Sequence, residues 1–140
     1  MTRGKKTLSA ADYQTLATLR FALRKFSEFS ASAAQEEGIP SQQHQALLAI
    51  KGHPGPEPMT IGLLAARLLI APHTATELVN RLVKNDLVDR KVDPVDKRRQ
   101  YLELTDKSQE IMLRLSATHM TEIKQMAPDL ILLLQQLQDS

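Results

Sequence analysis

Three consecutive cations, at residues 97–99, are the side chains of this sequence whose type and spacing most clearly indicate chemistry. They lie in a polar segment, residues 93–99, that joins two short stretches of alternating polar and apolar residues, 88–92 and 101–104. Alternation with a period of two on both sides of a proline-containing turn predicts a β-hairpin. Cations at the tip of such a thin ribbon suit contacts with phosphate groups and with the floor of a groove.

The segment before the hairpin, residues 72–85, is predicted to be a helix that positions a second polar surface. Its apolar residues Ala75, Leu78, Val79 and Leu82 recur at i, i+3, i+4 and i+7, which places them on one inward face. The opposite face is polar, as in helices that read base edges in a major groove. The candidate DNA-binding residues on this face are His73, Thr74, Thr76, Glu77, Asn80 and Arg81. A helix followed by a basic hairpin is the arrangement of a winged helix-turn-helix, and it indicates binding to double-stranded DNA.

Composition limits the classes of protein that this chain can belong to. Its 140 residues predict one domain, and 42% hydrophobic residues with only 4% aromatics predict an aliphatic core. The absence of cysteine excludes disulfides and thiolate zinc sites. No apolar run reaches the length of a membrane span, and no apolar stretch follows the charges of the N-terminus as in a secretory signal. We therefore expect a soluble, cytoplasmic protein without a membrane partner.

Charge is unevenly distributed although the net charge is only +2. Residues 1–25 carry six cations (Arg3, Lys5, Lys6, Arg20, Arg24 and Lys25) against one anion, whereas residues 100–140 carry three cations against six anions. This polarity suits a protein with one side that faces DNA. Charge alone, however, favours the plainer interpretation of ordinary solvated surfaces.

A long first helix is predicted from a capping box formed by Ser9 and Asp12, and it extends to Glu36 or Glu37 before Gly38. Its apolar residues recur at spacings of three and four, as in a coiled-coil seam: Leu16, Leu19, Leu23 and Phe26. Two interpretations remain open for this stripe, a dimer interface or the core-facing side of an ordinary helix.

The remaining pattern predicts four more helices. A second helix spans 41–51, with Leu47, Leu48 and Ile50 buried, and a proline-rich loop follows at 52–58. Thr60 caps a third helix and Thr105 starts a fifth, which Pro128 separates from a last helix. The apolar residues of this last helix are candidate dimerisation residues: Leu130, Leu133, Leu134 and Leu137. The predicted order is four helices, a hairpin and two helices.

At this point the chain resembles the MarR family of bacterial transcription regulators over nearly its whole length. The most specific similarity is Asp93-Pro-Val-Asp96-Lys-Arg98 followed by Leu104-Thr105, where the family has Asp-Pro-x-Asp-Arg-Arg, a short strand and Leu-Thr. The pairs Leu64-Ala65 and Arg81-Leu82 and the segment Leu87-Val88-x-Arg90 also fit. The resemblance implies a mainly α fold with a small β-hairpin wing. It implies one domain at 1–140, a winged-helix DNA-binding lobe at 41–105, and terminal dimerisation helices at 1–37 and 106–140.

The resemblance also implies a function and roles for single residues. A homodimer would bind a pseudo-palindromic operator, and a small aromatic or amphipathic effector would lower its affinity for DNA. Repression is favoured over activation, because occluding polymerase needs no further contact. Lys97, Arg98 and Arg99 would be the wing contacts, with Arg98 in the minor groove and Asp96 holding the tip by a salt bridge. Two departures from the family pattern are Glu77, where many relatives have a basic residue, and Asp86, which replaces a glycine.

Enzymatic interpretations have little support in the sequence. His44, His53, His73 and His119 do not form a metal-binding spacing, and neither a phosphate-binding glycine loop nor a nucleophile motif is present. We expect no catalytic residue, resident metal or cofactor. If the second and fifth helices touch, His44 and His119 would meet and border an effector pocket, or bind a metal. The alternative function is a winged-helix module that binds partner proteins, against which the three cations at 97–99 argue.

Overall fold

The computed structural model describes residues 7–140, so the basic residues Arg3, Lys5 and Lys6 lie outside the described residues. The elements are α1 (Ala10–Glu36), α2 (Ser41–Lys51), α3 (Ile61–Leu68), α4 (Pro72–Lys84), β1 (Val88–Val92), β2 (Gln100–Leu104) and α5 (Asp106–Asp139). This order confirms the mainly α fold with one small β-hairpin. Across residues 7–140, no helix combines the length and the apolar character that crossing a membrane requires.

Side-chain caps start three of the helices at the positions that the sequence predicts. The hydroxyl of Ser9 accepts the Asp12 N–H while the Asp12 carboxylate accepts the Ser9 N–H, which confirms the capping box. Thr60 caps α3 by accepting the Leu63 N–H, and Thr105 caps α5 by accepting the Ser108 N–H. These caps satisfy N–H groups that have no partner inside the helix.

The core lies between α2, α3, α4, the hairpin and the N-terminal half of α5. Its largest fully buried side chains are Leu47, Leu64, Leu82, Leu87, Met112 and Leu115. The predicted burial of Leu48 is wrong, since this residue is 52% exposed. A helix turns about 100° per residue, so Leu48 projects away from the buried face that Leu47 and Ile50 share.

The hairpin is antiparallel, with Val88 opposite Leu104 and Val92 opposite Gln100. Val88 and Leu104 are buried, so one face of the ribbon joins the core. The N–H of Leu102 on β2 donates to the carbonyl of Met59 at 2.7 Å. The root of the hairpin is therefore tied to the segment that precedes α3.

The predicted break at Pro128 is wrong, because α5 runs without interruption from Asp106 to Asp139. Proline removes one helical hydrogen bond, and the carbonyl of Lys124 is the group left without its donor. Pro128 and Lys124 are both exposed, so water can bond to that carbonyl. The helix also packs along α1, which supports it on the other side.

Candidate nucleic-acid interface and adjoining cavity

The outer face of α4 carries every residue that the sequence places there. His73, Thr74, Thr76, Glu77, Asn80 and Arg81 are all exposed, whereas Ala75, Leu78, Val79 and Leu82 are buried. The N-cap residue, Ala71, offers no side-chain hydrogen bond, so the first N–H groups of α4 are open to an anionic oxygen. The hydroxyl of Thr76 donates to the Pro72 carbonyl at 3.1 Å and keeps its lone pairs for another donor.

The turn at the tip of the hairpin is organised by Asp93, a role that the sequence analysis did not identify. Its Oδ1 accepts the N–H of Val95 at 2.8 Å and that of Asp96 at 3.3 Å. Its own N–H donates to the carbonyl of Arg99 at 2.9 Å, which closes the turn. The signal available in the sequence was an Asp-Pro pair, since aspartate often bonds to backbone groups two residues ahead.

Asp96 and Arg98 form the ion pair that the family resemblance implies. Asp96 Oδ1 accepts the backbone N–H of Arg98 at 3.1 Å and its Nε at 3.2 Å. These bonds from Arg98, helped by the charge of Arg99, hold the pKa of the Asp96 carboxyl below its usual range. The Arg98 side chain is nevertheless 92% exposed, so most of its guanidinium remains accessible. Lys97 and Arg99 are exposed beside it.

A bond between Arg90 and Asn80 connects the wing to α4. Arg90 Nη2 on β1 donates to Asn80 Oδ1 on the outer face of the helix. The family pattern contains Arg90 but does not indicate which residue it contacts. Residues 80 and 90 belong to elements of different periodicity, so no local spacing pairs them.

The corner between α4 and β1 is tied to the start of α5. Asp86, where the MarR family pattern has a glycine, adopts a left-handed conformation with φ of 57°, which aspartate tolerates better than most residues. The Thr105 hydroxyl donates to the Asp86 carbonyl at 2.7 Å, and Lys107 Nζ donates to the Asn85 carbonyl at 3.0 Å. Asn85 Nδ2 in turn donates to Gln43 Oε1 on α2 at 3.3 Å.

A cavity of about 430 Å³ lies between α1, α2 and α5. Its lining comprises Phe26, Ser27, Ser30, Ser41, His44, Gln45, Leu48, Ser116, His119, Met120 and Ile123, with no charged residue among them. The predicted meeting of His44 and His119 is confirmed, because their ring centroids lie 4.9 Å apart. Leu48, which lies outside the core, forms part of the cavity wall.

The two histidines differ in their hydrogen bonding. His119 Nδ1 lies 2.6 Å from the Leu115 carbonyl and so donates to it, while Nε2 lies 2.8 Å from the Ser30 hydroxyl. His44 Nδ1 is buried and has no hydrogen-bond partner in the described part of the chain. Burial, followed by the proximity of His119, lowers the pKa of His44. Within residues 7–140, no group of three His, Asp or Glu side chains is placed to hold a metal ion.

The candidate dimerisation residues divide into two sets. Leu19, Leu130, Leu133 and Leu137 are half-buried, in keeping with the packing of α1 along α5. Leu16, Leu23 and Leu134 are 45%, 44% and 50% exposed. The second set forms part of an apolar surface that one chain leaves uncovered.

Sequence comparison relates this chain to known regulators. Residues 37–99 match the profile of the MarR family. The chain is similar to the uncharacterized HTH-type transcriptional regulator YkoM of Bacillus subtilis strain 168, with 29% identity over 102 residues, or 73% of this chain. The chain spans 64% of the length of YkoM and 27% of the length of a second Bacillus subtilis regulator that it matches.

Solved structures of other proteins share the fold of this chain. A point mutant of Staphylococcus aureus MepR bound to an oligodeoxyribonucleotide superposes with a TM-score of 0.67 and 20% identity, covering 86% of this chain and 96% of that one. CouR from Rhodococcus jostii RHA1 bound to p-coumaroyl-CoA superposes with a TM-score of 0.73 and 18% identity, covering 94% and 92%. The winged helix-turn-helix architecture is therefore the fold of this chain.

Proposed function

We propose that this chain is a winged helix-turn-helix transcription regulator of the MarR family, and that it binds a pseudo-palindromic operator as a homodimer whose DNA affinity a small molecule lowers. Members of this family are transcription regulators and not enzymes. Action on chromosomal DNA implies a cytoplasmic location.

The observation that carries the proposal is the pairing of an exposed polar helix face with an exposed cationic wing. In the proposed complex, α4 lies in the major groove and reads base edges from the residues of its outer face. The wing tip reaches the neighbouring minor groove, where Arg98 meets the negative potential that a narrow groove concentrates. Asp96 supports this contact by holding Arg98 at the tip.

The proposed dimer assigns residues 1–37 and 106–140 to the interface and residues 41–105 to the DNA-binding lobe. The uncovered leucines of α1 and α5 support this division, because a second copy would bury them. Two α4 helices would then lie one turn of DNA apart, roughly 34–36 Å, and would read the two half-sites.

The cavity beside His44 and His119 is the proposed effector site. Its uncharged, partly apolar lining suits a small aromatic or amphipathic molecule, and CouR, which has the same fold, was solved with p-coumaroyl-CoA. An occupant would separate α2 from α5, and the bonds of Gln43 with Asn85 and of Thr105 with Asp86 lead from these helices to α4. An effector that favours one dimer conformation would thereby release DNA, and we infer repression as the basal action.

Operator binding with a salt titration tests the DNA-binding proposal. We expect saturable, sequence-selective binding to DNA from upstream of the protein's own gene, with a steep dependence of affinity on salt. Arg98→Ala is expected to weaken binding by about tenfold and to reduce the salt slope by about one, since one cation that neutralises the negative potential of the DNA is lost.

Lys124→Ala is the control, because Lys124 is an exposed cation on α5 away from the wing. Its affinity and salt slope should match those of the unmodified protein. Weak binding to every sequence, unchanged by Arg98→Ala, would contradict the proposal and favour a winged-helix module that binds partner proteins.

A further inference from the structure

Arg90 links the hairpin to the outer face of α4. It lies two residues after the buried Val88, so both side chains project from the same face of β1. Its partner across the strands, Leu102, is also buried. Arg90 itself is exposed, and its Nη2 donates a hydrogen bond to Asn80 Oδ1.

This bond determines the orientation of the Asn80 amide. A guanidinium group donates hydrogen bonds and accepts none, so the atom that faces Arg90 must be the amide oxygen. Asn80 Nδ2 therefore lies on the other side of the amide, and within residues 7–140 it makes no hydrogen bond of its own. Asn80 is exposed, and so are Glu77 one turn earlier and Arg81 beside it.

The orientation changes what Asn80 can recognise in a major groove. A free asparagine both donates and accepts, and so pairs with adenine through N6 and N7. Oδ1 keeps a second lone pair, but an oxygen that already accepts from a guanidinium cation lies towards Arg90, so Asn80 turns the two N–H donors of Nδ2 towards the other side. Guanine offers two acceptors, N7 and O6, at its major-groove edge, whereas cytosine offers the N4 donor.

We propose that Arg90 is a positioning residue that directs the Nδ2 donors of Asn80 towards the operator, with guanine as the base that Asn80 prefers. The inference rests on the proposed docking of α4 in the major groove. It predicts a base preference at one operator position and attributes this preference to the hydrogen bond between Arg90 of the wing and Asn80 of α4.

The test is a base-preference profile at constant salt. Affinities are measured for the operator and for every single base-pair substitution of one half-site, using the unmodified dimer and three variants. For the unmodified protein we expect one position where guanine is preferred by about tenfold, a typical cost of a mismatched pair. Asn80→Ala should remove the preference at that position and leave the others in place.

Two further variants test the orientation itself. Arg90→Met removes the donor while keeping a long side chain, so the freed amide should shift the preference at that position from guanine towards adenine. Asn80→Asp keeps a partner for Arg90 but replaces the outward donor by an acceptor. Its preference should shift to cytosine, whose amino group donates.

The profile separates positioning from a direct phosphate contact by Arg90. Loss of a phosphate contact weakens all sequences alike and lowers the salt slope by about one, without changing the profile. Selective binding whose profile is unchanged in Asn80→Ala, or in Arg90→Met, would overturn this inference and leave the proposed function intact. Binding without any sequence preference in the unmodified protein would overturn both.

Discussion

At the scale of single residues, solvent exposure determines how much a polar pair contributes to stability. Asp96 and Arg98 lie at the exposed tip of the wing, where water screens their attraction, so the pair shapes the tip and adds little to global stability. His44 is only 4% exposed beside His119, and the cavity that they line contains no charged side chain to compensate a proton. Protonation of His44 is therefore opposed by the fold itself.

The lowered pKa of His44 predicts that stability falls as the solution is acidified. In the unfolded chain His44 binds a proton near its ordinary pKa of 6.5, whereas the folded chain resists protonation until a lower pH. The unfolded state then holds more protons, so the free energy of unfolding decreases as pH falls below about 6.5. Urea unfolding at pH 7.5, 6.5 and 5.5 measures this decrease.

His44→Gln should flatten the decline, by at most about 1.4 kcal/mol per pH unit, the limit for one proton. His73→Gln is the matched control, because His73 is exposed on α4 and its replacement should leave the slope unchanged. An equal slope in His44→Gln and in the unmodified protein would show that His44 is not the group responsible.

Among the elements, α4, the wing and α5 meet at a corner where one hydroxyl group makes two of the connecting hydrogen bonds. Thr105 Oγ1 accepts the Ser108 N–H, which starts α5, and donates to the carbonyl of Asp86, which lies at the left-handed corner. Ser108 is completely buried next to it. The Thr105 side chain therefore helps to hold the wing in its orientation relative to the long helix.

Replacing Thr105 by valine keeps the shape of the side chain and removes both bonds. We expect Thr105→Val to lower the free energy of unfolding by about 1–2 kcal/mol, the usual effect of losing a helix cap. Thr105→Ser keeps the hydroxyl and should retain most of the stability. Urea denaturation of the three proteins decides the matter, and a Thr105→Val protein as stable as the Thr105→Ser protein would contradict the assigned role.

Sequence patterns predicted the elements whose signals are local. The capping box of Ser9 and Asp12 and the inward face of α4 depend on residues three or four positions apart, and both were confirmed. The predicted break at Pro128 was wrong because the rule that proline ends a helix takes no account of solvent at the freed carbonyl or of packing along α1. The burial of Leu48 failed because three neighbouring apolar residues on a helix cannot all face one way.

Local sequence patterns did not predict which residues of different elements contact each other. Arg90 meets Asn80, and Asn85 meets Gln43, only because the hairpin, α4 and α2 take particular positions relative to one another. The meeting of His44 and His119 was predicted on the condition that α2 and α5 touch, and the structure satisfies this condition. The candidate DNA-binding and dimerisation residues lie on suitable surfaces, and their roles remain predictions.

For the molecule as a whole, the apolar surface along α1 and α5 is the feature that a single chain does not explain. The two helices pack against each other, yet Leu16, Leu23 and Leu134 stay close to half exposed. Ile131 and Leu132 add 55% and 54% exposed side chains next to Leu134. Such a surface favours burial against a second copy, which the two-fold reading of an operator also requires.

Leu134→Lys should therefore convert the protein from a dimer to a monomer. Sedimentation equilibrium is expected to give twice the chain mass of 15.7 kDa for the unmodified protein and the single mass for the variant. A buried lysine without a partner is strongly unfavourable, and the two lysines of a symmetric dimer would lie at the same interface.

Operator affinity should fall by about a hundredfold or more, because the linkage between half-sites is lost. Leu69→Lys is the control, since Leu69 lies in the DNA-binding lobe, is 92% exposed, and should leave the dimer intact. A Leu134→Lys protein that remains a dimer would move the interface away from this surface, whereas an unmodified protein that is monomeric at micromolar concentration would remove the dimer from the mechanism.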